Sequence, residues 1–190
     1  MPPPLETPRL LLRSLAIEDA GAIQRIFPQW AVVQYLNAIV PWPYPPDGAL
    51  RFVSDVALPA EARGEQWTWT LRLRQNPEAV IGAIHLKRGE AENRGFWLAP
   101  EWHGQGLMVE AAAATNDFWF DALGFPLLRV AKAAANRASR RISEKTGMRL
   151  VGTTEKDYVS GRLPTEIWEM TAAEWRAFRQ SEPGTRARPY

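Results

Sequence analysis

The sequence contains no cysteine and only two histidines, His85 and His103. The first absence excludes disulfide frameworks, thiolate nucleophiles, iron–sulfur clusters and cysteine-ligated zinc. Two isolated histidines do not make a metal cage or a His-based triad, so no metal ligand is assigned. Long apolar runs are also missing, and no segment is expected to span a membrane. The N-terminal residues carry a proline cluster and no apolar h-region, so they do not read as a signal peptide, and a cytoplasmic location is expected. Neither sign of charge dominates: Lys+Arg is 23 and Asp+Glu 21, a net charge of +2. That balance argues against a dedicated nucleic-acid binder, whereas a small anionic ligand needs only a local patch.

What is present is ordinary globular material. The 190 residues are 46% hydrophobic and 23% charged, which suits one domain. Its core is expected over about residues 7–171, between a proline-rich lead-in and a frayed tail at Ser181–Tyr190. No internal repeat is visible.

Thr7–Ser14 reads as a strand, and Ile17–Phe27 and Pro46–Arg63 read as helices with apolar residues at helical spacing. Pro28–Asp47 reads as irregular. The period then changes to two. Gln66–Arg74, Ala79–Lys87 and Ala91–Leu98 are three strands joined by short turns, an antiparallel meander. An Ala-rich helix follows over Val109–Leu123, ended by Gly124 and Pro126. Then come a strand at Leu127–Ala134, a helix at Arg137–Thr146, strands at Arg149–Tyr158 and Leu163–Thr171, and a short helix at Ala172–Gln180. The layout is α+β, with a mixed, mostly antiparallel sheet of about seven strands flanked by helices.

The turn His103-Gly104-Gln105-Gly106-Leu107-Met108 lies between a strand and the Ala-rich helix. Two glycines allow close approach of a ligand to the backbone. The first helical N–H groups lack partners, and the helix dipole adds positive potential. Together they suit a phosphate or diphosphate. A Walker loop is absent. A dinucleotide fingerprint fails because its third glycine falls on Glu110 and the preceding strands are hairpin-joined.

Ala99–Glu110 (APEWHGQGLMVE) resembles motif A of the GNAT N-acetyltransferases, written [RQ]-x-x-G-x-[GA]. Asn136–Met148 (NRASRRISEKTGM) resembles the family's second signature, N-x-x-S-x-x-x-x-E-K-x-G-F. Leu10–Arg13 and Trp42-Pro43-Tyr44 look like the RimJ/RimL-like branch, the ribosomal-protein N-terminal acetyltransferases. The resemblance runs from about Thr7 to Glu169 and implies a single-domain GNAT-like fold using acetyl-CoA and no metal. It departs from the family at His103, where Arg or Gln is usual before the Gly-x-Gly, and at Asn93, near where many relatives carry a Glu general base.

The resemblance implies that amides of Gln105, Gly106, Leu107 and Met108 hold the diphosphate, with His103 and Gly104 completing the loop. Phe96, Trp97 and Leu98 would pair with pantetheine, and Asn136 would reach the cofactor arm while capping its helix. Ser139 would protonate the departing thiolate, a modest role for a group of pKa near 8.5. Arg137, Arg140, Arg141 and Lys145 crowd one helix, and Arg140 is assigned to the cofactor, although spacing alone does not choose among them. His85, Asn93, Trp42 and Tyr44 are the acceptor-site candidates. Glu92 and Asn93 point to opposite faces of their strand, and the sequence leaves open which faces the cleft. Trp67, Trp69, Trp97, Trp119 and Trp168 are expected in the core.

The implied reaction is direct attack of a primary amine on the acetyl thioester. The acceptor is a small molecule or a protein N-terminus, and the absent strand Glu leans towards an α-amine of pKa near 7.7–8. A non-catalytic acyl-CoA-binding sensor is the competing reading. The aromatic content allows a homodimer face, which nothing in the sequence locates.

Overall fold

The computed structural model describes residues 1–181; the tail read as frayed lies, beyond Ser181, outside the described residues. Eight strands form two sheets, one of order β1-β2-β3-β4-β5 and one of order β6-β8-β7. The first comprises β1 (Leu5–Glu6), β2 (Leu10–Ser14), β3 (Gln66–Leu73), β4 (Gly82–Lys87) and β5 (Arg94–Leu98). The second comprises β6 (Leu127–Ala133), β7 (Arg149–Tyr158) and β8 (Gly161–Thr171). All pairs within each sheet are antiparallel. The strand beyond the expected seven is β1, two residues bonded to Leu11 and Leu12, too short to show a period.

Alternation along β3 sorts two cores. Trp69, Leu71 and Leu73 face one side with Leu10, Leu12, Ile84 and Leu86, under α5 (Leu107–Asp117). Ala111–Ala114 of α5 are buried there, and small side chains let the helix lie close on the sheet. A wider π turn, Phe118–Ala122, ends that helix and sets Phe118 edge-on to Trp69 at 5.2 Å. On the other side of β3, Arg72 pairs with buried Asp19 at 2.5 Å. That side is covered by α1 (Ala20–Ile26), α2 (Trp30–Val33), α3 (Gly48–Arg51) and α4 (Leu58–Ala62), whose apolar faces form the second core with Leu15 and Val80. The single helix expected over Pro46–Arg63 is interrupted by a π stretch at Phe52–Ala57, just before Pro59, which cannot donate to the ladder. The one turn of α2 lies in the segment read as irregular, because four residues carry no period.

Trp69, Trp119 and Trp168 are buried as expected, and Trp175 on α7 (Ala172–Ser181) joins them. Trp67 and Trp97 are half-buried, on opposite faces of the first sheet. Among the described residues, no helix is long and apolar enough to cross a membrane, and no cluster of His, Asp and Glu could hold a metal.

The two sheets share an apolar core and are joined by hydrogen bonds and an ion pair where β5 begins. The Asn93 N–H donates to Arg129 O at 2.7 Å, and the Arg129 N–H donates to Asn93 Oδ1 at 2.8 Å. The Asn93 amide nitrogen donates to Gly89 O at 2.6 Å and Lys87 O at 3.3 Å. Beyond this clamp β5 and β6 do not pair, and a V opens between them. Removing the side chain as Asn93→Ala strands a buried N–H and two carbonyls, and a loss of about 2–3 kcal/mol in urea unfolding is expected. A loss below about 0.5 kcal/mol, the range of ordinary surface substitutions, would remove the clamp's structural role.

Candidate active site

Alternate residues of a strand direct their backbone groups to opposite edges. Ala99 N–H bonds to Ile81 O on the β4 side, so Trp97 and Gly95 also face β4. Phe96 and Leu98 therefore turn their N–H and C=O into the V. The His103 ring Nε2 donates to Leu98 O at 2.7 Å, which fixes its tautomer and latches the loop to the strand. This leaves both backbone groups of Phe96 and the Leu98 N–H as an unpaired edge facing the opening.

The loop follows a short turn at Pro100–Trp102. Gly104 (φ 75°) and Gly106 (φ 78°) both lie in the left-handed region, which disfavours any residue with a Cβ. Helix α5 starts at Leu107, and its first ladder bond runs from Glu110 N–H to Gly106 O at 3.2 Å. The amides of Gln105, Gly106, Leu107 and Met108 find no acceptor in the described chain. Residues 103–106 are exposed, whereas the Leu107 and Met108 side chains anchor the turn in the core. Counted along [RQ]-x-x-G-x-[GA], the motif's first place falls on Glu101 and not on His103, which corrects the departure expected at the histidine; Glu101 is exposed, and its carbonyl accepts from Gln105 Nε2 at 3.0 Å.

Across the V lies α6 (Arg137–Lys145). Asn136 caps it, its Oδ1 accepting the Ser139 N–H at 3.1 Å. Ser139 is buried and its hydroxyl makes no hydrogen bond within the described chain. Below it, Lys132 Nζ donates to Ser139 O at 2.9 Å and to Ser143 Oγ. Burial, with the nearby Arg94 charge, pushes the Lys132 amine well below its ordinary range. Arg140, expected at the cofactor, is engaged within the protein. It is paired with Glu144 and Glu166, each at 2.9 Å, and lies over the Trp168 ring. The cations of α6 that form no ion pair among the described residues are Arg137, Arg141 and Lys145, one helical turn apart on its exposed face.

Residues 9–149 match the Acetyltransferase (GNAT) domain family. The chain is also 30% identical over 158 residues to the uncharacterized N-acetyltransferase YoaA of Bacillus subtilis (strain 168), covering 79% of this chain and 85% of that protein. Among solved structures, the fold is similar to RimL, a ribosomal L7/L12 alpha-N-protein acetyltransferase in complex with coenzyme A (TM-score 0.77, 15% identity, 89% of this chain and 98% of that one). It is also similar to a ribosomal-protein-S5-alanine acetyltransferase from Vibrio fischeri (TM-score 0.76, 16% identity, 92% and 99%).

The chain belongs to the GNAT acetyltransferase family. Its activity is acetyl transfer from acetyl-CoA to an amine. The site fits that donor on three counts: bare amides at a helix start, two left-handed glycines, and a free strand edge leading to them.

On the other face of the first sheet, the expected acceptor side, Phe27 packs edge-on against Tyr44 (4.9 Å) and Trp97 (5.2 Å), which makes one aromatic wall of the three. Burial pushes the Tyr44 phenol upward. Trp42 is not part of that wall. It is 43% exposed and leans on Trp30 with ring centroids 5.7 Å apart, at the rim. Asn93 is engaged in the clamp and has no polar group left for an acceptor. Its neighbour Glu92 is the one that reaches out, pairing with Lys156 of β7 at 2.9 Å.

His85 lies on the same face as Trp97, half-buried, with its ring over Gly95. A Cβ on Gly95 would approach Nε2 to 2.7 Å, so the ring needs that glycine. Burial, then the Lys87 charge, lowers the His85 pKa to about 4. The ring is neutral near pH 7 and too weak a base to keep a proton taken from an ammonium; it can accept a hydrogen bond that orients one. A folded-state pKa below the ordinary 6.5 favours the native state when the ring is neutral. The stability this confers is complete above pH 6.5 and is lost as pH falls towards about 4. Across that window the loss is about 1.4 kcal/mol for each pH step of one. Urea unfolding across that window is expected to fall less steeply in His85→Gln than in the wild type; parallel curves would remove this account.

Proposed function

We propose that the acceptor is an α-amine at a polypeptide N-terminus, and that the donor is held by the Gln105–Met108 amides and the Phe96–Leu98 edge. The observation that carries the donor half is the run of amides without acceptors behind two left-handed glycines. Two features support the acceptor half. Asn93 stands near where the family resemblance implies a Glu base, and Asn93 is engaged elsewhere. An α-amine, partly neutral at neutral pH, tolerates that loss better than a lysine side chain. The fold is also similar to proteins described as acting on L7/L12 and on the alanine of S5.

When bound, acetyl-CoA supplies an activated acyl group as a thioester. The protein's main contribution is to fix donor and acceptor together in the V, which removes the entropy of encounter. The free N–H groups of Phe96 and Leu98 are oriented donors for developing negative charge on an acyl oxygen. The Ser139 hydroxyl is a proton source on the other wall. Arg137, Arg141 and Lys145 offer charge to the donor's outer phosphate.

Acetyl-CoA is expected to raise the melting temperature of the wild type, because it binds only the native state. Gly106→Glu places a Cβ in a left-handed turn and a negative charge on the amides, and the shift is expected to vanish. An unshifted wild type at millimolar acetyl-CoA would overturn the donor site. Thiol release with a panel of peptides and small amines, read by mass spectrometry, tests the acceptor. Acetylation of small amines alone would overturn the α-amine reading. Ser139→Ala is expected to lower kcat by less than about tenfold with KM for acetyl-CoA nearly unchanged, since a thiolate leaves readily; an unaltered kcat would take Ser139 out of the reaction.

A further inference from the structure

Arg9 stands just before β2, yet its guanidinium lies on a loop about a hundred residues away in the chain. Its Nε donates to Glu110 Oε2 at 2.7 Å, and its main-chain N–H donates to Glu110 Oε1 at 2.8 Å. Thr7 Oγ1 donates to that same Oε1. Arg9 Nη1 donates to Gln105 O at 2.8 Å. The remaining amino group, Nη2, makes no hydrogen bond in the described chain and sits 3.5 Å from where a Cβ on Gly106 would lie. Half of the side chain is exposed.

Two consequences follow from the charges. Glu110 lies in the first turn of α5, where a carboxylate suits the helix dipole but repels an arriving anion. Burial raises the Glu110 pKa, but the hydrogen bonds from Thr7 and Arg9 outweigh it and hold the carboxyl below its ordinary value. The carboxylate is therefore ionised and pinned, and Arg9 both cancels its charge and is aimed by it. The planar fork matters here. A guanidinium can bond to Glu110 and Gln105 on two sides and still present N–H groups on a third, which an ammonium on a flexible stem cannot do in one fixed geometry.

We propose that Arg9 is a donor-binding residue of this acetyltransferase: its free amino group forms a charge-assisted hydrogen bond to the diphosphate of acetyl-CoA, with Glu110 and Thr7 as its positioning residues. The proposal rests on the reading that the Gln105–Met108 amides hold that diphosphate.

The test compares the wild type, Arg9→Met and Arg9→Lys for binding of coenzyme A, dephospho-coenzyme A and pantetheine, the first two by calorimetry and the last by ligand-detected NMR. Arg9→Met is expected to lose roughly tenfold in affinity for coenzyme A and for dephospho-coenzyme A alike, and nothing for pantetheine, which lacks the diphosphate. Its ligand-free melting temperature is expected to fall, since the Glu110 side chain is only 15% exposed and loses its guanidinium partner; the pantetheine arm separates that loss from loss of the diphosphate contact. Arg9→Lys keeps the charge but not the fork, and is expected to recover at most a small part of the loss for both diphosphate ligands. Unchanged affinity in Arg9→Met, or an equal loss for pantetheine, would each overturn the proposal, and full recovery in Arg9→Lys would overturn the role given to the planar fork. A wild type that binds neither diphosphate ligand would overturn the loop reading itself, and Arg9 with it.

Discussion

The side chain of Asn93 is the centre of the junction that holds the two sheets together where β5 begins, and beyond it they separate. Every polar atom of that amide has a partner, on the β4–β5 turn or on β6. Had β5 and β6 paired along their length, the edge groups of Phe96 and Leu98 would be satisfied within the protein and would have nothing to offer a ligand. The open V is thus a hydrogen-bonding deficit maintained by a fully satisfied clamp. The His103 latch on Leu98 O shows how sparingly the deficit is reduced: one carbonyl is closed off, and the loop is tied to the strand by the same bond.

The walls of the V differ in how they carry charge. The donor wall is built from backbone amides, whose positive potential needs no counter-ion. Two cations, Arg94 on β5 and Lys132 on β6, are buried without an ion-paired carboxylate among the described residues. Arg94 is accommodated by Asn116 Oδ1 and the Met148 sulfur, and Lys132 by Ser139 O and Ser143 Oγ. Desolvation then favours the neutral amine at Lys132, which lowers the cost of its burial. Arg140, by contrast, has its carboxylates close at hand and pins α6 to β8.

How much is legible without coordinates depends on how far each interaction reaches along the chain. The Gly104–Met108 turn is local: two glycines, a helix start and an Ala-rich continuation are neighbours in sequence, and the geometry follows from them. The Asn136 cap on Ser139 spans three residues and is equally legible. The sequence places Asn93 near the acceptor because its partner, Arg129, is distant, and nothing in the strand pattern announces it. Arg140 goes to the donor on sequence grounds because helical spacing shows a basic cluster but not that Glu166 lies beneath one member. The element order is legible from changes of period. The division into two sheets is not, because it depends on where pairing stops, and the residues on either side of the gap look like any others in a strand.

The tie between Arg9 and Glu110 links positions 101 residues apart. A chain made from its N-terminus therefore presents the guanidinium long before the helix that orients it exists, and closing so long a loop is entropically slow. The start of α5 is thereby tied to the segment before β2, and its geometry depends on β2 being docked beneath that helix. Loss of the residues before Leu10 would take Arg9 and Thr7 from Glu110 while leaving β2 and most of the apolar interior in place.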